Sequence, residues 1–151
     1  MSNTVVRDIR DSLLNLIATE LGSEYVQLAY VNDIERNNWK QGSNGYGVRP
    51  AFKQQVAGVT KNATYLQTFE LLITKRYVNQ SIGDDRILDS FLDADEQIMG
   101  IYKEIINTSA GLPSVVLNAT NLTTDVPQIL EEDNVVVLRA TVDILYRLTL
   151  I

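Results

Sequence analysis

The sequence predicts an α+β fold, in which a mostly antiparallel twisted sheet of four to five strands carries two helices packed on one face. Three observations predict it. Two long segments alternate apolar and polar residues, two others repeat apolar residues at helical spacing, and the elements follow the order α-β-β-β-α-β-β. Because the 151 residues contain no evident linker or repeat, residues 1–151 are predicted to form a single domain.

Two segments have the residue spacing of amphipathic helices. Val5–Leu21 repeats apolar residues every three or four positions, and Gly22 follows where a helix end favours a left-handed residue. Asp85–Ser109 has a broad apolar face, and Gly111 and Pro113 follow its end. The acids of this second segment lie on a continuous helix and not in a glycine-turned calcium loop, so they predict a solvated face.

Three extended segments are predicted between the helices, at Tyr25–Ile34, Gly47–Val59 and Thr64–Val78. Pro50 cannot donate a hydrogen bond to a sheet, so it predicts an edge position or a bulge. Glu35–Gly47 has three glycines and no apolar periodicity, which predicts a flexible or protruding loop. We expect this loop to be mobile in an isolated subunit and to become ordered on assembly.

The last predicted strand, Val135–Ile151, is unusually long and follows a short one at Val115–Leu117. At about 3.3 Å per residue it spans roughly 55 Å, whereas a compact domain of this size is roughly 40 Å across. We therefore expect it to bend, to break at a bulge, or to extend toward a neighbouring subunit. Its polar face carries Arg139, Asp143 and Arg147 at every fourth position. The apolar face expected to pack under both helices contains Val136, Leu138, Val142, Ile144, Tyr146 and Leu148.

The composition argues against several classes of function. The chain has no cysteine and no histidine, which removes thiolate chemistry, the usual base at neutral pH and the commonest transition-metal ligand. A net charge of −6 argues against sequence-independent binding of nucleic acid. Charges interrupt the first apolar segment, and no apolar run reaches the roughly 20 residues of a membrane span. We expect a soluble, intracellular protein that is not an enzyme and has no cofactor, metal or membrane partner.

Seven residues are candidates for contacts with a partner. Trp39, the single tryptophan, lies beside Lys40 in the predicted loop, where it is either buried locally or an exposed anchor for a partner. As an anchor, Trp39→Ala weakens partner binding more than it lowers stability. The polar face of the last strand is either solvated or pairs its charges with a neighbouring subunit. The full set is Trp39, Lys40, Tyr46, Arg49, Arg139, Asp143 and Arg147.

Ordered motifs along nearly the whole chain resemble a known family. An amphipathic helix, a strand and a glycine-rich loop lead into GVRPAF at Gly47–Phe52. QTFELLITKRYVN at Gln67–Asn79 then precedes the long acidic helix, and VVVLRATVDILYRLTL at Val135–Leu150 follows later. Together these features resemble the tail-terminator (tail-completion) proteins of long-tailed bacteriophages.

The resemblance implies a hexameric ring that caps the tail tube, stops its polymerisation and presents a surface to the head–tail connector protein. It also implies an acidic lumen through which genomic DNA passes without specific binding, assembly in the host cytoplasm, and a final location in the tail or neck of the virion. No catalytic residues carry over. The alternatives are a head-closure or connector adaptor, a small-ligand binding module that uses the concave sheet, and an acidic hydrolase.

Overall fold

Two helices and six strands make up the part of the chain that the computed structural model describes. The described residues are 5–27, 44–59, 62–76, 86–108, 112–125, 128–130 and 135–149. Their elements are α1 (Val5–Leu21), β1 (Tyr25–Gln27), β2 (Asn44–Val59), β3 (Asn62–Arg76), α2 (Arg86–Thr108), β4 (Val116–Thr124), β5 (Gln128–Leu130) and β6 (Val135–Thr149). The predicted α+β fold is confirmed.

The six strands form one sheet in the order β1-β2-β3-β6-β4, with β5 also paired to β6. All pairs are antiparallel except β1 with β2. The long predicted strand β6 lies inside the sheet and pairs with β3 residue for residue, from Val135 opposite Arg76 to Thr149 opposite Asn62. Its 15 residues span about 50 Å without a break in register against β3.

Register shifts occur instead in the outer strands. β2 carries extra residues between Pro50 and Lys53 and between Gln55 and Ala57, relative to β3. β4 is likewise shifted against β6 at two places, and its Asn121 has a φ of 56°. Pro50 therefore lies beside a bulge, as predicted. The inner strands β3 and β6 hold a regular frame while their outer neighbours bend around it.

Both helices pack on one face of this sheet. α1 contacts mainly β1 and β2, whereas α2 contacts mainly β3, β4 and β6. The strands turn alternate side chains toward the helices, and this confirms the predicted apolar face of β6 from Leu138 to Tyr146. The buried core between the layers contains Ile9, Leu13, Leu14, Ile17, Leu21, Tyr46, Val48, Phe69, Leu71, Ile73, Ala94, Ile98, Ile101, Ile105, Leu138, Ala140, Val142, Ile144 and Tyr146.

The opposite sheet face is only partly polar. Leu72 on β3 and Val135 and Val137 on β6 point away from the helices, yet they are almost fully buried. The more open part of the same face contains the β6 residues Arg139, Thr141, Asp143, Leu145 and Arg147. The alternation of β6 therefore predicts the helix side correctly but does not show that one end of the other side is also covered.

The C-terminal boundary predicted for the loop at residues 35–47 was wrong. Residues 44–47 belong to β2, where they pair with β1 and β3. The backbone N–H of Gly45 also donates a hydrogen bond of 3.0 Å to the buried Thr74 hydroxyl. The sequence did not predict this part of the strand because Gly45 and Gly47 have no side chains and so interrupt the alternating pattern. Residues 35–43, and residues 28–34 of the predicted first strand, lie outside the described residues.

The fourth strand is longer than the predicted Val115–Leu117. β4 runs from Val116 to Thr124, and β5 lies in the polar segment that follows. Along β4 only Ala119 is buried, because this strand has β6 on one side and no described strand on the other. Asparagine and threonine fill its exposed positions, so the sequence shows no apolar alternation there. An edge strand of this kind has the composition of a loop.

Candidate interaction surfaces

The polar side of the sheet brings two of the candidate residues, Arg49 and Arg139, into one charged network. Glu70 on β3 faces Arg49 on β2, and its Oε2 accepts a hydrogen bond from Arg49 Nε at 2.8 Å. Its other oxygen, Oε1, lies 3.7 Å from Nη1 of Arg139 on β6. The Glu70 side chain is 18% exposed, so one half-enclosed carboxylate is shared by two guanidinium groups. Three strands are thereby tied together across the sheet.

Asp143 is held separately, farther along the same face. Its Oδ1 accepts a hydrogen bond from the Thr68 hydroxyl at 2.7 Å, and its Oδ2 accepts one from Asn121 Nδ2 at 3.1 Å. Asn121 reaches it from the bulge of β4, where its left-handed backbone is one that asparagine tolerates. Both carboxylate oxygens are thus satisfied within the subunit. The predicted partners in a neighbouring subunit are not needed to explain this residue.

Arg147 differs from the other charges of β6. Its side chain is exposed, and its backbone N–H donates to the carbonyl of Val115 at 3.0 Å. No carboxylate within the described ranges forms an ion pair with its guanidinium. Of the charges predicted on β6, Arg147 is therefore the one most available to a partner.

The remaining candidates do not join this surface. Tyr46 is 7% exposed and belongs to the core, because its position on β2 turns the ring toward the helices. Its selection as an exposed interface residue is corrected: an aromatic next to a flexible-looking glycine segment is here part of a strand. Trp39 and Lys40 lie outside the described residues. The sequence did not identify Glu70 as a functional candidate. Alternation predicts which face of the sheet Glu70 lies on, but the residues opposite it depend on the strand register, which alternation does not give.

A second surface is formed by the outer part of β2, which we call the β2 arm (residues 51–58). Every one of these residues is exposed, on both sides of the strand, and Phe52 is 60% exposed. β1 pairs only as far as Tyr46, so the outer edge of the arm has no described strand beside it. Its inner edge is fixed: the Gln67 amide donates to the Phe52 carbonyl at 3.0 Å.

Lys53 anchors the arm on the helix side of the sheet. Its Nζ lies 5.6 Å from the ring centroids of both Tyr65 and Tyr146. The two rings stack with their centroids 5.6 Å apart. A cation over two tyrosine faces is an attractive contact. The arm is therefore a held structure that still leaves Phe52 and Val56 open to solvent.

A third surface lies on α2. The sequence predicted one broad apolar face for this helix, but the structure divides it into two stripes. One stripe, Ala94, Ile98, Ile101 and Ile105, is buried against the sheet. The other, which we call the α2 outer stripe, consists of Leu88, Leu92, Met99 and Ile106, whose exposed fractions are between 46% and 52%. Spacings of four, seven and seven residues place its members along one side of the helix.

An open cavity of about 420 Å³ lies between the helices and the end of β3. Lys75 Nζ lies 2.8 Å from Asp93 Oδ2 in its wall, and Glu20, Glu96 and Gln97 also line it. Beside it, the Tyr25 hydroxyl donates to Gln97 Oε1 at 3.0 Å. Burial raises the pKa of Tyr25 above 10.0, and Lys75 opposes this shift. The charged, open lining differs from the mostly apolar pockets that hold small ligands.

Two kinds of feature are absent from the described part of the chain. It contains no group of three or more His, Cys, Asp or Glu residues placed to hold a metal ion. Within the same residues, neither helix has the length and apolarity that a membrane crossing requires.

Comparison with known proteins gave a structural likeness and no sequence match. No protein-family model matches the chain, and no curated protein sequence matches it. A protein chain in the solved virion of a native gene transfer agent (GTA) particle has a similar fold, with a TM-score of 0.52 and 10% sequence identity. The superposition covers 97% of this chain and 99% of that chain. The two proteins therefore share an architecture over essentially their whole lengths.

Proposed function

We propose that this protein is a structural subunit of a virion, and that it acts as a tail terminator. In this function, six copies form a ring that caps the tail tube, ends its polymerisation and joins the tail to the head connector. The observation that carries the proposal is the fold shared with a GTA virion chain over nearly all of both chains. The motifs that resemble tail-terminator proteins give the finer assignment.

The arrangement of the subunit supports an assembly function over a catalytic one. Among the described residues, most of the large exposed apolar side chains lie on the β2 arm and the α2 outer stripe, and Val26 and Leu117 are exposed on other strands. These side chains are spread over several surfaces and do not converge on one reaction site. The described charges of the sheet face are mostly paired with each other, as a structural network would be. We therefore assign no catalytic residue or cofactor.

Charge fits the passage of DNA through such a ring. The chain has 19 acidic and 13 basic residues, which gives a formal net charge of −6. DNA carries one negative charge about every 1.7 Å of its axis, so a ring with this charge balance repels the duplex overall. Genomic DNA would pass without specific binding. Assembly would take place in the host cytoplasm and end in the virion tail or neck.

The proposal is tested by adding the protein to the tube protein encoded beside it in the same genome. Electron microscopy measures tube length and the occupancy of tube ends, and sedimentation measures the mass of the free and bound protein. We expect rings of six subunits at tube ends and shorter tubes as the protein concentration rises. Unlimited tube growth with bare ends contradicts the terminator function. Binding to the head connector alone, with no effect on tubes, identifies the adaptor function instead.

A further inference from the structure

We propose that neighbouring subunits of the ring contact each other through the β2 arm of one copy and the α2 outer stripe of the next. This contact rests on the proposed ring function and names the surfaces that would build it. The occupant of the stripe is thus a second copy of this chain.

The α2 outer stripe is more apolar than folding requires. Ile98, Ile101 and Ile105 already fix the helix to the sheet, and each is almost fully buried. Leu92 and Met99, on the outer side, remain about half exposed. Large apolar side chains aligned along one helix face, with a polar surround, are typical of a surface that another protein covers. Covering the stripe would remove apolar area from water, which favours association.

The β2 arm differs from the stripe, since it is an exposed strand segment that pairs with β3 along one edge. Phe52 and Val56 are its exposed apolar side chains, and its backbone is fixed by pairing to β3. A pre-ordered strand loses little conformational entropy when it binds, so its aromatic side chain is suited to be an anchor. The arm and the stripe are therefore an exposed strand with an aromatic side chain and an exposed apolar helix face on the same chain.

Direct pairing of strand edges between copies is disfavoured by the edges themselves. β2 has two register shifts, Pro50 at one of them, and Lys53 on the arm. β4, at the other edge of the sheet, has two shifts and the left-handed Asn121. Bulges, proline and lysine on edge strands are the devices that prevent edge-to-edge association. The contact is accordingly assigned to side chains of the arm and not to its backbone edge.

Charge and position both fit the arm to the stripe. Residues 51–58 contain Lys53 and no acid, whereas α2 carries the exposed acids Asp89, Asp95 and Glu96 on either side of the stripe. The arm belongs to the β2 side of the sheet, and α2 packs over β3, β6 and β4 toward the other side. The arm and the stripe are therefore two separate surfaces, on different elements of one subunit. A contact between unlike surfaces repeats head to tail and closes into a ring when the rotation permits.

The absence of cysteine makes this contact testable by disulfide trapping, because any introduced pair is the only pair. Phe52→Cys is combined in one chain with Met99→Cys, and separately with Leu92→Cys, and the proteins are oxidised under mild conditions. Because a disulfide needs Cα atoms within about 7 Å, only adjacent sites are trapped. We expect at least one double variant to give a ladder of covalent oligomers that ends at the size of the ring.

Mixtures and a matched control determine the symmetry of the contact. Equal amounts of the two single variants should give one covalent dimer, and each single variant alone should give none. Phe52→Cys with Ser23→Cys, which places the second thiol in the exposed turn after α1, should stay monomeric on denaturing gels. Self-linking of Phe52→Cys alone would show a two-fold contact and overturn the head-to-tail arrangement.

The outcome is separable from the proposed function. Rings that cap tubes but give no ladder with either double variant overturn the contact and leave the terminator function standing. A ladder from a protein that does not affect tube growth supports the contact and counts against the terminator function. Sedimentation before oxidation provides the independent measure of ring formation.

Discussion

The two helices lie on the same sheet, yet α1 has no apolar residue in an exposed position, whereas α2 exposes its outer stripe. α1 buries Ile9, Leu13, Ile17 and Leu21 against the core, and its exposed positions are polar. α2 buries a similar stripe but exposes a second one. Folding of the subunit therefore accounts for the apolar residues of α1, which are buried or partly buried, better than for those of α2. Under the proposed contact, the outer stripe of α2 would serve to bind another chain.

The largest effect is expected from adjacent positions on α2 that belong to different stripes. Ile98→Asp buries an unpaired charge and should abolish folding, as should Val142→Asp on β6. Met99→Asp places the same charge on the half-exposed side and should leave the circular dichroism spectrum intact. Sedimentation should show that it no longer forms rings. If the Met99 variant unfolds, the outer stripe is needed for folding of the subunit. The apolar residues of α2 would then have the same purpose as those of α1.

A smaller effect on stability is expected from Glu70→Gln. The change removes the charge shared by Arg49 and Arg139, and partial exposure of these groups screens the loss. We expect a cost of about 1 kcal/mol in the free energy of unfolding, measured with urea. Glu96→Gln, at an exposed position on α2, is the control and should change stability little. An equal effect of both variants would show that general charge, and not the network, is responsible.

Gly100→Ala should stabilise the protein by up to about 1 kcal/mol, because alanine favours the helix interior where glycine does not. Gly100 lies where α2 passes α1, and an added methyl group would meet the carboxylate end of Glu20. That flexible, exposed end can move away. Thermal unfolding of Gly100→Ala with and without Glu20→Ala measures the cost of the movement. A loss of stability that Glu20→Ala repairs would show that the helices are too close for this change.

The smallest effect on folding is expected for Arg147→Glu on β6. Surface substitutions usually change stability by no more than about 0.5 kcal/mol, so circular dichroism and urea unfolding should be nearly unchanged. Ring formation should weaken, since the reversed charge is repeated at every contact around the ring. Sedimentation at low and high salt provides the measure. Rings with unchanged stability and salt dependence would exclude Arg147 from the interface.

The sequence predicted the elements whose patterns come from burial on one side. β3, β6 and both helices were found because apolar residues recur along them at strand or helix periods. β4 was largely missed because an edge strand needs few apolar residues. The network at Glu70 was missed because facing partners depend on register, which alternation leaves open. The two stripes of α2 were merged for a similar reason: periodicity shows which residues are apolar, and only packing shows which are covered.

The pairing of β3 with β6 has a consequence for how quickly the chain reaches this structure. β2 and β3 are close in sequence and can form a hairpin early. The second neighbour of β3 is β6, and α2, β4 and β5 all lie between β3 and β6 in the chain. Sheets built from such distant pairings commonly fold in milliseconds to seconds. During that delay the inner edge of β3 stays open to strands of other chains. Rapid expression at high temperature should therefore yield aggregates. This is expected even though bulges, proline and lysine on the outer strands of the folded subunit disfavour pairing with other chains.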